Sequence, residues 1–239
     1  MLFASRIVSD AVMIRDYYLE TYKADSTLIR YGFREVFREE VKAKSEGREE
    51  VEVSGDVHSK LGVKPFEYVL FVSRLEPENN AHRAIEAYNM LPPELKEKPL
   101  LVVGDAPYAK KYIEGLHQMA GENVIFAGYQ FGKAYEELQL GAYIYIQATE
   151  VGGTHPALVE SLGFANCVIA NDTPEHVEVI EDAGVYYSKN NTKELSEKLK
   201  ELLEDSDKVK SFREKAYNRA NKEFSWDSVT EQYIEVLSF

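Results

Sequence analysis

The stretch AYIYIQATEVGGTHPALVESLGFANCVIAN, residues 142–171, opens on an apolar run and breaks at a polar loop with two glycines. It resumes as an apolar segment of helical length and closes on a second apolar run. Continuous rather than alternating apolarity is what a strand covered on both faces requires, so the unit reads as strand, crossover helix, parallel strand. The pattern extends both ways. Apolar runs at 67–73, 99–104, 123–128, 142–148, 167–171 and 184–188 alternate with stretches of helical patterning at 81–90, 109–119, 132–140, 154–164 and 174–181. A strand, a helix and a further strand recurring at roughly 25 to 30 residues predict an α/β fold, a doubly wound, Rossmann-like parallel sheet. After residue 188, Leu195, Leu199, Leu202 and Leu203 fall at helical spacing among Lys and Glu, and helices are expected at 207–223 and 226–237.

Residues 1–35 stand apart from that sheet. They read as a strand at 5–9, a helix at 10–22 and a strand at 26–30, one βαβ fragment too small to bury a core alone. Residues 36–66 are charged and turn-rich, with Glu-Gly-Arg-Glu-Glu at 46–50, and read as a mobile linker into a domain spanning 67–239. The chain is therefore expected to begin partway through a preceding domain.

Composition narrows the function. The 239 residues are 44% hydrophobic, enough to fill an ordinary core, and carry a formal net charge of -13. That balance excludes a sequence-independent nucleic-acid binder, which needs a basic face to neutralise phosphates. An anionic ligand needs a local cationic or backbone-amide site instead. The single cysteine, Cys167, lies in an apolar run and reads as a reduced, buried thiol. No apolar stretch approaches the roughly 20 residues of a membrane span and no signal-peptide pattern opens the chain, so the cytoplasm is the expected compartment.

Ligands of open parallel sheets bind beyond the carboxyl ends of the strands. After the first of the six strands comes Ser73-Arg74-Leu75-Glu76-Pro77-Glu78-Asn79-Asn80; after the third, Gly128-Tyr129-Gln130; after the fourth, Thr149-Glu150-Val151-Gly152-Gly153-Thr154-His155-Pro156. Gly152 and Gly153 let backbone approach a ligand, and Thr154 is placed to cap a helix whose free N–H groups attract an anion. An ordinary tight turn with a Thr cap explains the same residues. Glu160 is the single charge in an otherwise apolar helix, and a buried carboxylate needs hydrogen-bond donors such as the two hydroxyls of a ribose. A glutamate on a solvent-facing edge is the alternative. For Arg74 the alternative is a surface ion pair with Glu76 or Glu78. The acidic triplet Asp205-Ser206-Asp207 reads as a helix cap rather than a metal site.

The ordered set Arg74-Leu75-Glu76-Pro77-Glu78-Asn79-Asn80, Val102-Val103-Gly104-Asp105, Val124-Ile125-Phe126-Ala127-Gly128 and Gly152-Gly153-Thr154-His155-Pro156 ending in Glu160 resembles the family 4 retaining glycosyltransferases, and most closely their rhamnosyltransferase-like members. Phe224-Ser225-Trp226-Asp227 with Glu231-Gln232-Tyr233 is similar to the family's terminal helix, and residues 5–32 resemble the last βαβ piece of its acceptor domain. The resemblance implies a GT-B C-terminal domain with a short remnant of the N-terminal domain. It implies a nucleoside-diphosphate sugar as donor, a glycan or lipid as acceptor, and neither metal nor organic cofactor. Arg74 would contact the diphosphate, the backbone at 153–155 would face phosphates and sugar, Glu160 would bind the ribose, and the loop Gly128, Tyr129, Gln130 would hold the base.

Two departures qualify it. Asn79 stands where most of the family has a lysine, and Gly152 stands where it places its first glutamate, with Glu150 nearby; Thr154 or His155 is then the candidate for the donor sugar. His155 reads equally as a helix-start residue with a surface ring. The chain reads as a fragment of a longer enzyme, as a half that takes its acceptor domain from a partner chain, or as a non-catalytic donor-binding subunit. A nicotinamide-dependent dehydrogenase is disfavoured, because no Gly-x-Gly-x-x-Gly follows the first strand.

Overall fold

A computed structural model describes residues 6–48, 53 and 56–238. Its first unit is β1 (Val8–Ser9), α1 (Val12–Tyr22) and β2 (Thr27–Leu28), with the two strands parallel. Both strands are shorter than the runs that announced them, and Ser5 lies outside the described residues. So small a sheet cannot cover its helix, and Met13, Tyr17, Leu19 and Tyr22 of α1 are exposed. Polar ties anchor the unit instead. The Ser9 and Ser26 hydroxyls meet at 2.7 Å, the Val12 N–H donates to one oxygen of Glu178 at 3.0 Å, and Arg30 donates to the other at 3.0 Å. The Phe33 N–H donates to the Phe224 carbonyl at 2.8 Å, and Phe33 forms a parallel bridge with Ser225.

The segment read as a mobile linker holds two helices, α2 (Arg38–Ser45) and α3 (Val57–Leu61), while Glu49 and Glu50 lie outside the described residues. Beyond it come β3 (Val69–Val72), α4 (Ala81–Asn89), β4 (Leu100–Val103), α5 (Lys110–Met119), β5 (Val124–Gly128), α6 (Gly132–Leu140), β6 (Ile144–Gln147), α7 (Pro156–Gly163), β7 (Cys167–Asn171), α8 (Pro174–Ile180) and β8 (Gly184–Tyr187). The six strands from β3 to β8 form one parallel sheet in the order β5-β4-β3-β6-β7-β8. Side chains alternate across it, as the strand period demands. Val69, Phe71, Leu100, Val102, Ile144 and Ile146 pack with residues of α4 and α5 on one face; Leu70, Leu101, Val103, Tyr145 and Val168 pack with residues of α6, α7 and α8 on the other. Burial on both faces is why the strands read as unbroken apolar runs. Cys167 is fully buried, and burial pushes its thiol up to about 12.

Three helices close the chain: α9 (Thr192–Glu204), α10 (Ser206–Glu223) and α11 (Trp226–Leu237). Asp205 caps α10 by accepting the Lys208 N–H at 2.9 Å, so the acidic triplet serves as the helix cap its sequence suggested. The charged α2 packs against α10 and buries Val41 beside Leu140, Phe164 and Ala165; Lys44, one turn along, is fully buried as well. Among the described residues, no helix is long and apolar enough to cross a membrane.

Candidate functional site

From β3 the chain winds to β4 and β5 on one side, and from β6 to β7 and β8 on the other. The adjacent carboxyl ends of β3 and β6 are therefore the switch point of the sheet, the place where an open parallel sheet has its ligand crevice. Backbone and amide bonds build its rim. The Glu150 N–H donates to the Glu78 carbonyl at 3.1 Å, Asn80 Nδ2 to the Ala148 carbonyl at 2.9 Å, and Asn171 Nδ2 to the Ala148 and Thr149 carbonyls at 3.0 Å. On the other side of β3, the Ser73 N–H donates to Val103 at 3.1 Å and the Gly104 N–H to Gly128 at 2.8 Å.

Arg74 leaves β3 with its side chain 69% exposed and meets Glu76 at 3.4 Å, the surface ion pair that its sequence allowed. Glu76 is nearly buried and also accepts the Tyr108 hydroxyl. With the guanidinium this exposed and the contact this long, the pair is weak, on the order of 1 kcal/mol, so an anion with better geometry can draw the arginine away from Glu76. Asn79 turns inward and donates to the Arg74 carbonyl at 2.8 Å, bracing the backbone of the arginine rather than extending a cationic clamp. At the end of β5, Gly128 is followed by Tyr129, whose half-exposed ring stacks on the exposed Phe131 at 5.6 Å and 23°. This is an aromatic surface of the kind a base could lie on. Gln130 donates to the Ala127 carbonyl at 2.7 Å.

The loop after β6 faces the N-terminal unit. Glu150 sits 3.7 Å from Arg83, and the facing atoms of both are buried without a hydrogen-bond partner. Gly152 has φ +144, where a Cβ would lie 2.9 Å from Cε1 of His155. Gly153 looks onto the Asp10 carboxylate, 3.4 Å from where a Cβ would be, and the Thr154 hydroxyl donates to the Asp10 carbonyl at 2.9 Å. Thr154 is thus not the helix cap that the sequence suggested. His155 occupies the N-cap of α7 without a side-chain bond, and Pro156 starts the helix with a φ already set for it.

His155 stands with its ring 5.0 Å from that of His176, which is completely buried on α8. Asn171 Oδ1 lies 2.5 Å from His176 Nδ1, which fixes the proton there and leaves Nε2 buried without a partner. Burial and then His155 depress the His176 pKa to about 3, and burial lowers those of His58 and His155 as well. The sign of the pH effect follows. Above about pH 6.5 the folded and unfolded forms of these histidines are both neutral, whereas below it only the unfolded chain gains protons, so stability falls on acidification. For His176 alone the slope approaches about 1.4 kcal/mol per pH unit until the pH nears its folded pKa. Urea midpoints should be flat near pH 7 to 8 and drop below 6.5, and His176→Asn should shallow that drop. An unchanged slope in the variant would disprove the assignment.

Glu160, on the second turn of α7, is partly buried and accepts the Tyr135 hydroxyl of α6 at 2.5 Å. Burial raises its pKa, the Tyr135 bond opposes this, and Glu136 adds to the rise. The Tyr135 phenol is pushed far up by burial and then by Glu160, so it remains a donor. The demand for a donor at this carboxylate is therefore met in part by a residue that the sequence did not single out. Tyr135, His176 and Asp10 are the additions that the structure makes to the site. Neither Tyr135 nor His176 lies in a motif, Asp10 lies in the 5–32 stretch without having been given a role, and an aromatic within an amphipathic helix reads as core.

The folded chain superposes on the crystal structure of HepE from Anabaena in complex with UDP with a TM-score of 0.82 at 20% identity, covering 99% of this chain and 64% of that one. It thus shares the fold of the GT-B glycosyltransferases. Among curated proteins it is 26% identical over 174 residues to an uncharacterized glycosyltransferase of Methanocaldococcus jannaschii, and 24% identical over 173 residues to the O-antigen chain mannosyltransferase B of Escherichia coli. Each alignment takes in 70% of this chain and 44% of the relative, so the chain spans less than half the length of the curated relatives it matches. The family model described as glycosyl transferases group 1 matches residues 56–219, from α3 almost to the end of α10, and the chain belongs to that family.

Proposed function

We propose that this chain is the donor-binding half of a retaining glycosyltransferase of the family 4, rhamnosyltransferase-like kind, acting on a nucleoside-diphosphate sugar and transferring a hexosyl or deoxyhexosyl group to a glycan or lipid acceptor. The observation that carries the reading is Glu160, a partly buried carboxylate held by one tyrosine on the helix that follows the crevice loop. Its remaining acceptor capacity suits the paired hydroxyls of a ribose. With the ribose there, the base would meet Gly128, Tyr129 and Gln130, and the diphosphate would meet Arg74 and the backbone from Gly152 to His155. The leaving group is the nucleoside diphosphate, whose growing negative charge needs a positioned cation and amide dipoles. Arg74 would supply the cation, and the reading requires neither metal nor organic cofactor.

A non-catalytic donor-binding subunit that takes its acceptor half from a partner chain is the second reading. The exposed Met13, Tyr17, Leu19 and Tyr22 of α1, on a unit too small to bury them, favour a further polypeptide over that helix.

Calorimetric titration with UDP and UMP tests the phosphate site. UDP should bind about tenfold or more tightly than UMP, since one charge-assisted bond to the distal phosphate is worth roughly 1.5 to 3 kcal/mol. Equal affinities would remove Arg74 from the assignment.

A further inference from the structure

A line of hydrogen bonds runs from the segment that joins the two units to the carboxylate of the site. Lys44 Nζ donates to Asn166 Oδ1 at 2.5 Å, Asn166 Nδ2 to Gln139 Oε1 at 3.0 Å, Gln139 Nε2 to the Tyr135 oxygen at 2.9 Å, and the Tyr135 hydroxyl to Glu160 at 2.5 Å. Lys44, Gln139 and Asn166 are completely buried.

Chemistry forces the direction of every bond. A lysine ammonium has donors and no acceptor, so Asn166 must turn its oxygen to Lys44 and its NH2 away. Gln139 must then offer its oxygen to that NH2 and its own NH2 to Tyr135. With its oxygen accepting, Tyr135 has one proton left, and Glu160 receives it. Four bonds thus point one way, from a cation to a carboxylate, and such aligned bonds polarise one another.

The head of the chain is built for a charge. Besides Asn166, Lys44 Nζ faces the Leu140 carbonyl at 2.7 Å and the Gln139 carbonyl at 3.4 Å. Three acceptors match the three protons of an ammonium, whereas a neutral amine would turn its lone pair on one of them. Two of those acceptors close the last turn of α6, the negative end of its dipole. Burial and then Arg213 draw the Lys44 pKa down, opposed by Cys167, while hydrogen bonds to three acceptors favour the charged form.

We propose that Lys44, Asn166, Gln139 and Tyr135 are positioning residues for Glu160, a one-way hydrogen-bond chain through which the docked α2 holds the carboxylate that receives the ribose. The proposal rests on the reading of Glu160 given above. It makes nucleotide affinity depend on whether α2 is seated, because undocking α2 removes the cation at the head.

Lys44→Met keeps an unbranched side chain that fills the stem's place and removes the ammonium at the head of the line; Tyr135→Phe removes its last link and guards against a folding failure of the first variant. Against UDP, each variant should lose about three- to tenfold in affinity, the scale of one net hydrogen bond. Against 2',3'-dideoxy-UDP each should match the parent. Equal losses for both ligands would mean general damage to the site, and no loss for either would mean an idle network; both results overturn the proposal. A second readout needs no ligand. In a 13C titration of the Glu160 carboxyl, whose other ionisable neighbours are Glu136 and Tyr145, the midpoint should rise in both variants because the Tyr135 bond lowers it in the parent. An unmoved midpoint refutes the chain. If the parent binds no UDP, the functional reading fails by itself and this titration still decides the network.

Discussion

Glu160→Gln should lower UDP affinity by about one to two orders of magnitude, because a hydrogen bond to a charged acceptor is worth roughly 1.5 to 3 kcal/mol and the amide removes the charge. The fold should survive. Glutamine keeps the helix propensity of Glu160, and its oxygen can still accept the Tyr135 hydroxyl. The informative comparison is with Arg74→Ala. That change should cost a similar factor for UDP, since the exposed guanidinium would be lost from the diphosphate, but little for uridine. The Glu160→Gln loss should persist for uridine and shrink when the ribose hydroxyls are absent. Calorimetry of both variants against UDP, uridine and the dideoxy diphosphate would show this crossed pattern. Affinities all within twofold of the parent would mean that the site is misassigned.

Gly104→Ala should be the most damaging glycine-to-alanine change among the described residues, destabilising the protein by about 4 kcal/mol or more. Gly104 follows β4 at φ +128, and a Cβ there would lie 1.8 Å from the Ser73 carbonyl oxygen. No rotamer relieves that contact, because both atoms belong to backbone that the sheet fixes. The Ser73 N–H is bonded to Val103 and the Gly104 N–H to Gly128. Strain of this kind at a rigid site belongs to the severe tail of single substitutions. Any relaxation would push the Ser73 backbone, and Arg74 with it, out of the crevice, so UDP binding should fall along with stability. Gly128→Ala is the control. Its φ of +63 costs a side chain about 1 to 2 kcal/mol, but nothing lies within 4 Å of the added methyl. Urea denaturation should separate the two variants clearly, and similar midpoints would contradict the account.

The sheet was legible because its physics is repetitive: strands covered on both faces, fully or at the β5 edge in part, must each be continuously apolar, and each of the six appears where such a run stands. The segment from 36 to 66 was not. The α2 sequence Arg-Glu-Glu-Val-Lys-Ala-Lys-Ser shows no apolar face, and what it buries is chiefly Val41 and the whole of Lys44. A lysine reads as solvated unless its acceptors are known, and these come from α6 and from Asn166, far along the chain. At the site, the glycines and the arginine singled out in the sequence lie just past strand ends, and the lone glutamate lies on the helix that follows one of them. Their partners did not announce themselves. Thr154 looks like a cap because its local sequence allows one, but the hydroxyl finds a better-placed acceptor in Asp10 across the chain. Asn79 looks available to a ligand and is held by Arg74. Local pattern identifies which residues can do chemistry, whereas the tertiary fold decides which of their atoms are still uncommitted.

The bridge between Phe33 and Ser225 bears on the order in which the chain can be completed during synthesis. The ring of Phe33 occupies the space where a side chain on Gly163 would sit, and Gly32 abuts the indole of Trp226. These contacts join the early part of the chain to its middle and to its last helix. Each βα unit from β3 to β8 can pair with neighbours nearby in sequence, so the large sheet can form as it emerges. The unit of β1, α1 and β2 cannot be seated until α10 has ended and α11 has begun. Through that interval α1 has no finished surface to rest beside, so a unit synthesised before the large sheet is put in place after it.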